Sequence, residues 1–251
     1  MTPRILSGIP KRWIAAVGLI LILAASTRPQ SLPGTSAEQI ITRYIDAIGG
    51  RAAWEALHSR TSLGSIEFPS MHLSGTVMIH EKAPNRVLQV VILEGAVFRQ
   101  GFDGKLAWSD DPQDGVKTKS GEELSEAARD ADFYRPININ KMYSKVAVTG
   151  QEEIEGRKAY LVEATEPDGG VEKIYFDAQS GLIVRVIAQR HLGDKITTFQ
   201  QDSQDYSEVD GVKLPFTVIQ TGGGVPFTIH FGEFHHNVDL EDSEFAKPDV
   251  Q

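Results

Sequence analysis

The stretch 174–185 reads Ile174-Tyr-Phe-Asp-Ala-Gln-Ser-Gly-Leu-Ile-Val-Arg185 and shows the pattern that recurs through most of this chain. One apolar run leads into the pair Ser180-Gly181, and a second run returns from it with alternating side chains. A pair that contains glycine supplies the positive φ angles that a tight hairpin requires. Strands joined by so short a turn must be antiparallel neighbours. The stretch therefore predicts a β-hairpin.

The same pattern recurs from about residue 60 onward. Apolar residues alternate in 71–81, 86–93, 214–218 and 227–231, and turn pairs that contain glycine separate such runs. The pattern predicts about 10–11 strands with only two or three helices. Because strands twist and an exposed apolar face is costly, so large a sheet should curl. We predict a mainly β (α+β) fold, a single strongly curved antiparallel sheet or unclosed β-barrel with helices covering the concave side. A two-sheet sandwich is the alternative.

Short helices accompany the strands. Ser36 is an N-cap, and Gln39 completes a capping box ahead of an apolar stripe at helical spacing. The segment 51–58 predicts a second helix, and 121–134 predicts a polar third one. Between the strands and this third helix, the polar segment 112–120 is interpreted as a loop.

The N-terminus has the three parts of a secretory signal peptide. Arg4, Lys11 and Arg12 precede an uncharged apolar run, which ends in Ala24-Ala25-Ser26. We predict a signal peptide over 1–26, a flexible segment over 27–35 and a single domain over 36–251. The product would be exported, periplasmic and soluble after cleavage. An uncleaved membrane anchor is the alternative, but the run is shorter than the roughly 20 residues that a spanning helix needs.

Composition excludes several classes of function. The net charge is −9, and loss of the three basic residues of the leader, which contains no acid, brings it to −12. An acidic body is a poor match for nucleic acid, because phosphate binding needs clustered Lys and Arg. The chain has no cysteine, which excludes a disulfide framework, thiol catalysis, cysteine-ligated metals and acylation at a lipobox cysteine.

No catalytic motif stands out, so we predict no enzyme, no catalytic residue, no metal site and no cofactor. The chain lacks G-x-S-x-G, H-E-x-x-H and a phosphate-binding glycine loop. His235 and His236 are the only adjacent histidines, and neighbours on a strand point to opposite faces. A metal-assisted hydrolase built from scattered histidines is the least favoured function. A curved sheet with few helices can instead leave an apolar cavity that suits a lipid.

The chain resembles the outer-membrane lipoprotein-sorting protein superfamily, the LolA/LolB-like group, over most of 36–251. The resemblance lies in an ordered set of segments, each weak alone: Ile41-Thr-Arg-Tyr-Ile-Asp-Ala-Ile-Gly-Gly50, Gly101-Phe-Asp-Gly-Lys-Leu-Ala-Trp108, Gly156-Arg-Lys-Ala-Tyr160, the hairpin at 174–185, Asp205-Tyr-Ser-Glu-Val-Asp-Gly-Val-Lys-Leu-Pro-Phe216, Asn237-Val-Asp-Leu and Phe245-Ala-Lys-Pro248. It implies an unclosed β-barrel, covered by helices, whose apolar cavity holds lipid or the acyl chains of a lipoprotein without catalysis.

The expected function is therefore a periplasmic carrier or binder of a lipid or acylated ligand, with envelope membrane proteins as further partners and no nucleic acid. The alternative is an envelope protein-interaction module with a filled core. No binding residue carries over from the family. From the alternation alone, we predict a cavity wall with a helical lid over it. The wall residues are Leu73, Val77, Ile79, Leu88, Val90 and Ile92, and the lid residues are Ile45 and Trp54.

Overall fold

The computed structural model describes residues 35–192 and 195–249. The predicted signal peptide, 1–26, lies outside the described residues, as does nearly all of 27–35. Helix α1 (Ala37–Ala47) begins at Ser36, whose hydroxyl accepts a hydrogen bond from the Gln39 N–H, while the Gln39 side chain accepts one from the Ser36 N–H. The predicted capping box is confirmed.

Thirteen strands of the described ranges form one antiparallel sheet. In chain order they are β1 (Ser59–Phe68), β2 (Leu73–Lys82), β3 (Arg86–Leu93), β4 (Ala96–Phe102), β5 (Ala107–Asp111), β6 (Gly115–Thr118), β7 (Lys145–Ile154), β8 (Arg157–Thr165), β9 (Val171–Asp177), β10 (Ile183–Leu192), β11 (Lys195–Val209), β12 (Val212–Gly222) and β13 (Phe227–His236). Across the sheet the order is β6-β5-β4-β3-β2-β1-β13-β12-β11-β10-β9-β8-β7. Nearly every strand pairs with its neighbour in sequence, and β1 pairs with β13 to join the two halves.

The remaining helices are α2 (Arg51–Glu55), α3 (Gly121–Asp130) and α4 (Ile139–Met142). Helix α3 contacts both β5 and β10, which lie near opposite ends of the sheet. On α3, Arg129 forms ion pairs of 3.2 and 3.0 Å with acidic side chains at the β8–β9 turn. A flat sheet could not place both ends beside one helix, so the sheet is strongly curved. The outermost strands, β6 and β7, do not pair with each other, and the barrel is unclosed.

The predicted fold class is confirmed, but the strand and helix counts were too low. The segment 112–120, predicted as a loop, contains β6, which pairs with β5. Its sequence, Gly-Val-Lys-Thr, is short and mostly exposed, so alternation gives almost no signal there. The extra helix, α4, is a single turn in the connector after α3.

The largest core cluster lies between α1, α2 and the half of the sheet that contains β8, β9 and β12. The end of α1 is docked closely on the β11–β12 turn, where the Lys213 N–H donates to the Ile48 carbonyl at 3.0 Å. A Cβ on Gly49 would lie 2.1 Å from the Gly211 carbonyl oxygen, so only glycine permits this approach. The two N-terminal helices therefore cover one end of the concave face.

The outer face of β2–β5 is covered by the C-terminal segment. The Trp108 indole N–H donates to the Phe245 carbonyl at 2.9 Å, and the Phe245 side chain is fully buried. Asp242 forms ion pairs of 2.8 Å with Lys82 and 3.1 Å with Arg86. Because this segment packs outside the barrel, it does not occupy the concave face.

Candidate functional site

The concave face is covered at both ends and open between them. Helices α1 and α2 cover one end, and α3 covers the other through contacts of its apolar side with Phe102 and Ala107. Between these lids lies a groove with a cavity volume of about 650 Å³. This volume is within the range of roughly 300–1,000 Å³ that is typical of small-molecule sites.

The register of the sheet fixes which side chains form the groove wall. Ile229 on β13 lies opposite Ile66 on β1 and Val218 on β12, while Val77 on β2 lies opposite Val91 on β3. Directly opposed residues share one face of a sheet. Strands from both halves of the sheet thus contribute aliphatic side chains to one continuous surface.

Aromatic and amide side chains complete the wall. The rings of Phe68 and Phe227 pack against each other with centroids 5.6 Å apart. The Gln100 side-chain amide donates to the Gln89 side-chain oxygen at 2.8 Å. Gln201 and Gln220 add further amides, and no charged residue lines the groove in the described part of the chain. A neutral, largely apolar groove favours an uncharged apolar ligand.

A second cavity, of about 260 Å³, lies beneath α1 and α2 and adjoins the groove at Gln201. Its wall holds a buried carboxylate, Glu172, which accepts a hydrogen bond from the Tyr143 hydroxyl and faces Arg135 at 3.4 Å. Burial raises the pKa of Tyr143, and the charge of Glu172 raises it further. Tyr143 therefore stays a neutral donor, and this network can orient a polar group beside the apolar groove.

A third recess, of about 720 Å³, lies beneath α3 and shares Ile79, Gln89 and Gln100 with the groove. Its far side is lined by charged residues, among them Asp111 and Lys117. The three spaces lie next to one another along the concave face, and we call them together the trough. Its apolar stretch lies in the middle, and polar groups lie at either end.

Several predicted site residues lie at the trough. Ile79 lines the groove, and Val77 is fully buried in the aliphatic cluster below it. Trp54 lines the cavity beneath the helices, while Ile45 is buried in the adjacent core. Leu73, the first residue of β2, is on the same face of the sheet as Val77 but is not among the residues that line the groove. Ligand contact by any of these residues stays a prediction.

The structure places the other three predicted residues on the opposite face of the sheet. Leu88, Val90 and Ile92 lie opposite residues of β2 that point outward, whereas Val91 lies opposite Val77 and lines the groove. The reason is the composition of β3: Val-Leu-Gln-Val-Val-Ile-Leu is apolar on both faces, and alternation cannot choose between them. The prediction of these positions is off by one residue.

Sequence reasoning did not assign several groove residues to the site. The alternating runs 214–218 and 227–231 were recognised as strands, but they lie far from β2 and β3 in sequence. Only the pairing of β1 with β13 brings Ile229 and Phe231 beside Val77. No local signal predicts that pairing.

The histidines whose side chains are described do not assemble into a metal site. His80 contacts Glu244 at 3.0 Å and His236 contacts Asp210 at 3.0 Å, but these pairs are separate. Within 35–192 and 195–249 we find no group of three or more potential metal-ligating side chains. Among the same residues, no helix has the length and apolar character needed to cross a membrane.

Comparison with known proteins identifies solved structures with a similar fold. No family model matches the sequence, and no curated protein does. Three of the crystal structures that match are the following. A DUF1329 family protein from Desulfovibrio piger is 13% identical over 88% of this chain and 98% of that one, with a TM-score of 0.56. A LolA superfamily protein from Nitrosomonas europaea is 13% identical over 85% of this chain and 99% of that one, with a TM-score of 0.53. A putative outer membrane lipoprotein-sorting protein domain from Vibrio parahaemolyticus is 14% identical over 82% of this chain and 94% of that one, with a TM-score of 0.52.

At such identities the likeness is one of fold. It confirms the predicted resemblance at that level. This chain shares its fold with a LolA superfamily protein and with a putative outer membrane lipoprotein-sorting protein domain.

Proposed function

We propose that this protein is a non-catalytic periplasmic carrier or binder of a lipid or an acylated ligand, whose apolar chain lies in the groove between the lids. The observation that carries the proposal is the open groove of about 650 Å³ with its aliphatic, uncharged wall. The fold, shared with a structure described as a lipoprotein-sorting domain, supports it. The N-terminal sequence supports export to the periplasm.

Burial of the ligand chain would supply the binding energy. Each methylene group removed from water contributes roughly 0.8 kcal/mol. A chain of about 16 carbons would gain on the order of 10 kcal/mol before the costs of ordering it and losing its free motion. The groove wall is already formed by paired strands, so the protein itself pays little for ordering on binding.

Gentle purification of the mature protein, followed by solvent extraction and mass spectrometry, tests the proposal. We expect a lipid with a long acyl chain to copurify in a stoichiometric amount, and a fluorescent fatty acid to bind the delipidated protein. A protein that contains no lipid and binds no fatty acid would instead fit an interaction module that works through its outer surface.

A further inference from the structure

Apolar side chains are exposed at one edge of the sheet, on the tips of its hairpins. Met71 lies at the β1–β2 tip, Val225 at the β12–β13 tip and Ile196 beside the β10–β11 tip, with 40%, 41% and 64% of their surfaces exposed. Ile92 is exposed just before the β3–β4 tip. Because consecutive strands are antiparallel, these four hairpins turn at the same edge. We call these four residues the rim.

The two central tips contain no Asp, Glu, Lys or Arg. The β1–β2 tip reads Pro69-Ser-Met-His-Leu73, and the β12–β13 tip reads Gly222-Gly-Gly-Val-Pro-Phe227. In this chain 24% of the residues are charged, so two adjacent turns without Asp, Glu, Lys or Arg are unusual for exposed loops. Solvated hairpin tips are normally polar, and exposed apolar side chains gathered at one place indicate a contact surface.

The groove reaches the same edge. Phe68 and Phe227, whose rings are in contact, stand at the bases of the two central tips and also line the groove. On the other side of the groove, Leu93, the last residue of β3, also lines it. The rim therefore lies at one end of the groove.

The backbone holds one of these tips in a defined shape. Gly222 and Gly223 have φ angles of 81° and 71°, which favour glycine. A Cβ on Gly223 would lie 2.1 Å from the Phe199 ring, so the tip is packed directly on that ring. Val225 is thus presented by a supported turn.

We propose that the rim docks on the surface of an uncharged or zwitterionic phospholipid bilayer, inserting the side chains of Met71, Val225, Ile196 and Ile92 among the lipid headgroups. Apolar side chains on the two central tips gain from leaving water at that depth, while Glu94 on the β3–β4 tip and Lys195 beside Ile196 would stay among the polar headgroups. The body of the protein is acidic, so anionic lipid should add no attraction. The docked rim would open the groove directly to the bilayer.

The absence of cysteine permits a clean test, because a single cysteine can be introduced and labelled. A polarity-sensitive fluorophore on Val225→Cys should shift to the blue when phosphatidylcholine vesicles are added to the mature protein. Leu63→Cys is the matched control, since Leu63 is an exposed aliphatic residue, 42% exposed, in the middle of β1 and away from the tips. Its label should not shift.

Vesicle flotation gives the energetic test. The double substitution Met71→Asp and Val225→Asp should weaken vesicle binding at least about tenfold, because charges would replace apolar anchors. Leu63→Asp should leave it unchanged, as should high salt or added anionic lipid. Circular dichroism would verify folding, and Ile196→Asp repeats the test at a separate tip.

The proposal is overturned if the wild type does not bind phosphatidylcholine vesicles, if Leu63→Asp weakens binding as much as the tip variants, or if binding requires anionic lipid and disappears in salt. The rim would then be a contact for a protein partner or an electrostatic site. Ligand binding in the groove is measured separately with a fluorescent fatty acid and no vesicles, so a failure of vesicle docking would leave the proposed carrier function standing.

Discussion

A carboxylate introduced on one face of β3 or on the other should show which face of the sheet binds the ligand. Val91 lies opposite Val77 and Phe98 on the groove side, whereas its neighbour Val90 lies opposite Arg99 on the outer side. The substitutions Val91→Glu and Val90→Glu are therefore chemically identical and differ only in the face they reach. At position 90 the new carboxylate faces Arg99, which offers it an opposite charge.

The expected loss follows from the burial of the ligand. A hydrated carboxylate at position 91 would keep about three methylene groups of a bound chain in contact with water, at about 0.8 kcal/mol each. The cost of about 2.4 kcal/mol corresponds to a roughly 50-fold rise in Kd for a fluorescent fatty acid. Val90→Glu should bind within about twofold of the wild type, since it does not touch the ligand.

Folding is verified by circular dichroism and thermal unfolding of both variants. If Val91→Glu does not fold, Val91→Phe fills the groove without charge and should also weaken binding. The reasoning is refuted if a folded Val91→Glu protein binds like the wild type, or if Val90→Glu loses as much affinity as Val91→Glu.

Three further predictions concern stability. A Cβ at Gly101 would lie 2.7 Å from the buried Trp108 ring, so Gly101→Ala should lower the free energy of unfolding by about 1–3 kcal/mol in urea titration, while Gly150→Ala, with open space around it, should be nearly neutral. Ser36→Ala removes the cap of α1 and should cost about 1 kcal/mol by the same measurement; an unchanged midpoint would contradict this. Burial alone would raise the pKa of Asp177, but hydrogen bonds from Ser180 and Gln179 outweigh it and lower that pKa. Asp177 therefore stabilises the fold above the ordinary aspartate pKa, and the stability difference between wild type and Asp177→Asn should shrink as the pH falls below about 4; a difference that grows on acidification would count against it.

The fold could be predicted from sequence because its signals are local. The Ser180-Gly181 turn, the alternation around it and the Ser36 capping box each act over a few residues, and the structure realises all of them. The fold class followed from the number of such hairpins, since a large twisted sheet with few helices must curl. Only the short exposed strand β6 and the single turn of α4 gave too little signal.

The site could be predicted only in part, because it depends on pairing between distant strands. Val77 and Ile79 were placed on the concave side, but β3 carries apolar side chains on both faces, so alternation does not distinguish Val90 from Val91. The β2–β3 register places Val91, and not Val90, on the face of Val77. The helical lids cover that concave face, and the C-terminal segment covers the opposite one. Long-range pairing of β1 with β13 then adds Ile229 to the wall.

The central claim is that an apolar chain is buried in the groove, and a chain-length series tests it most directly. Titration calorimetry of the delipidated protein with saturated fatty acids of about ten to sixteen carbons should show a steady gain of about 0.8 kcal/mol, or roughly fourfold in Kd, for each added methylene group until the groove is filled. An affinity that does not depend on chain length, or no binding at any length, would contradict the account.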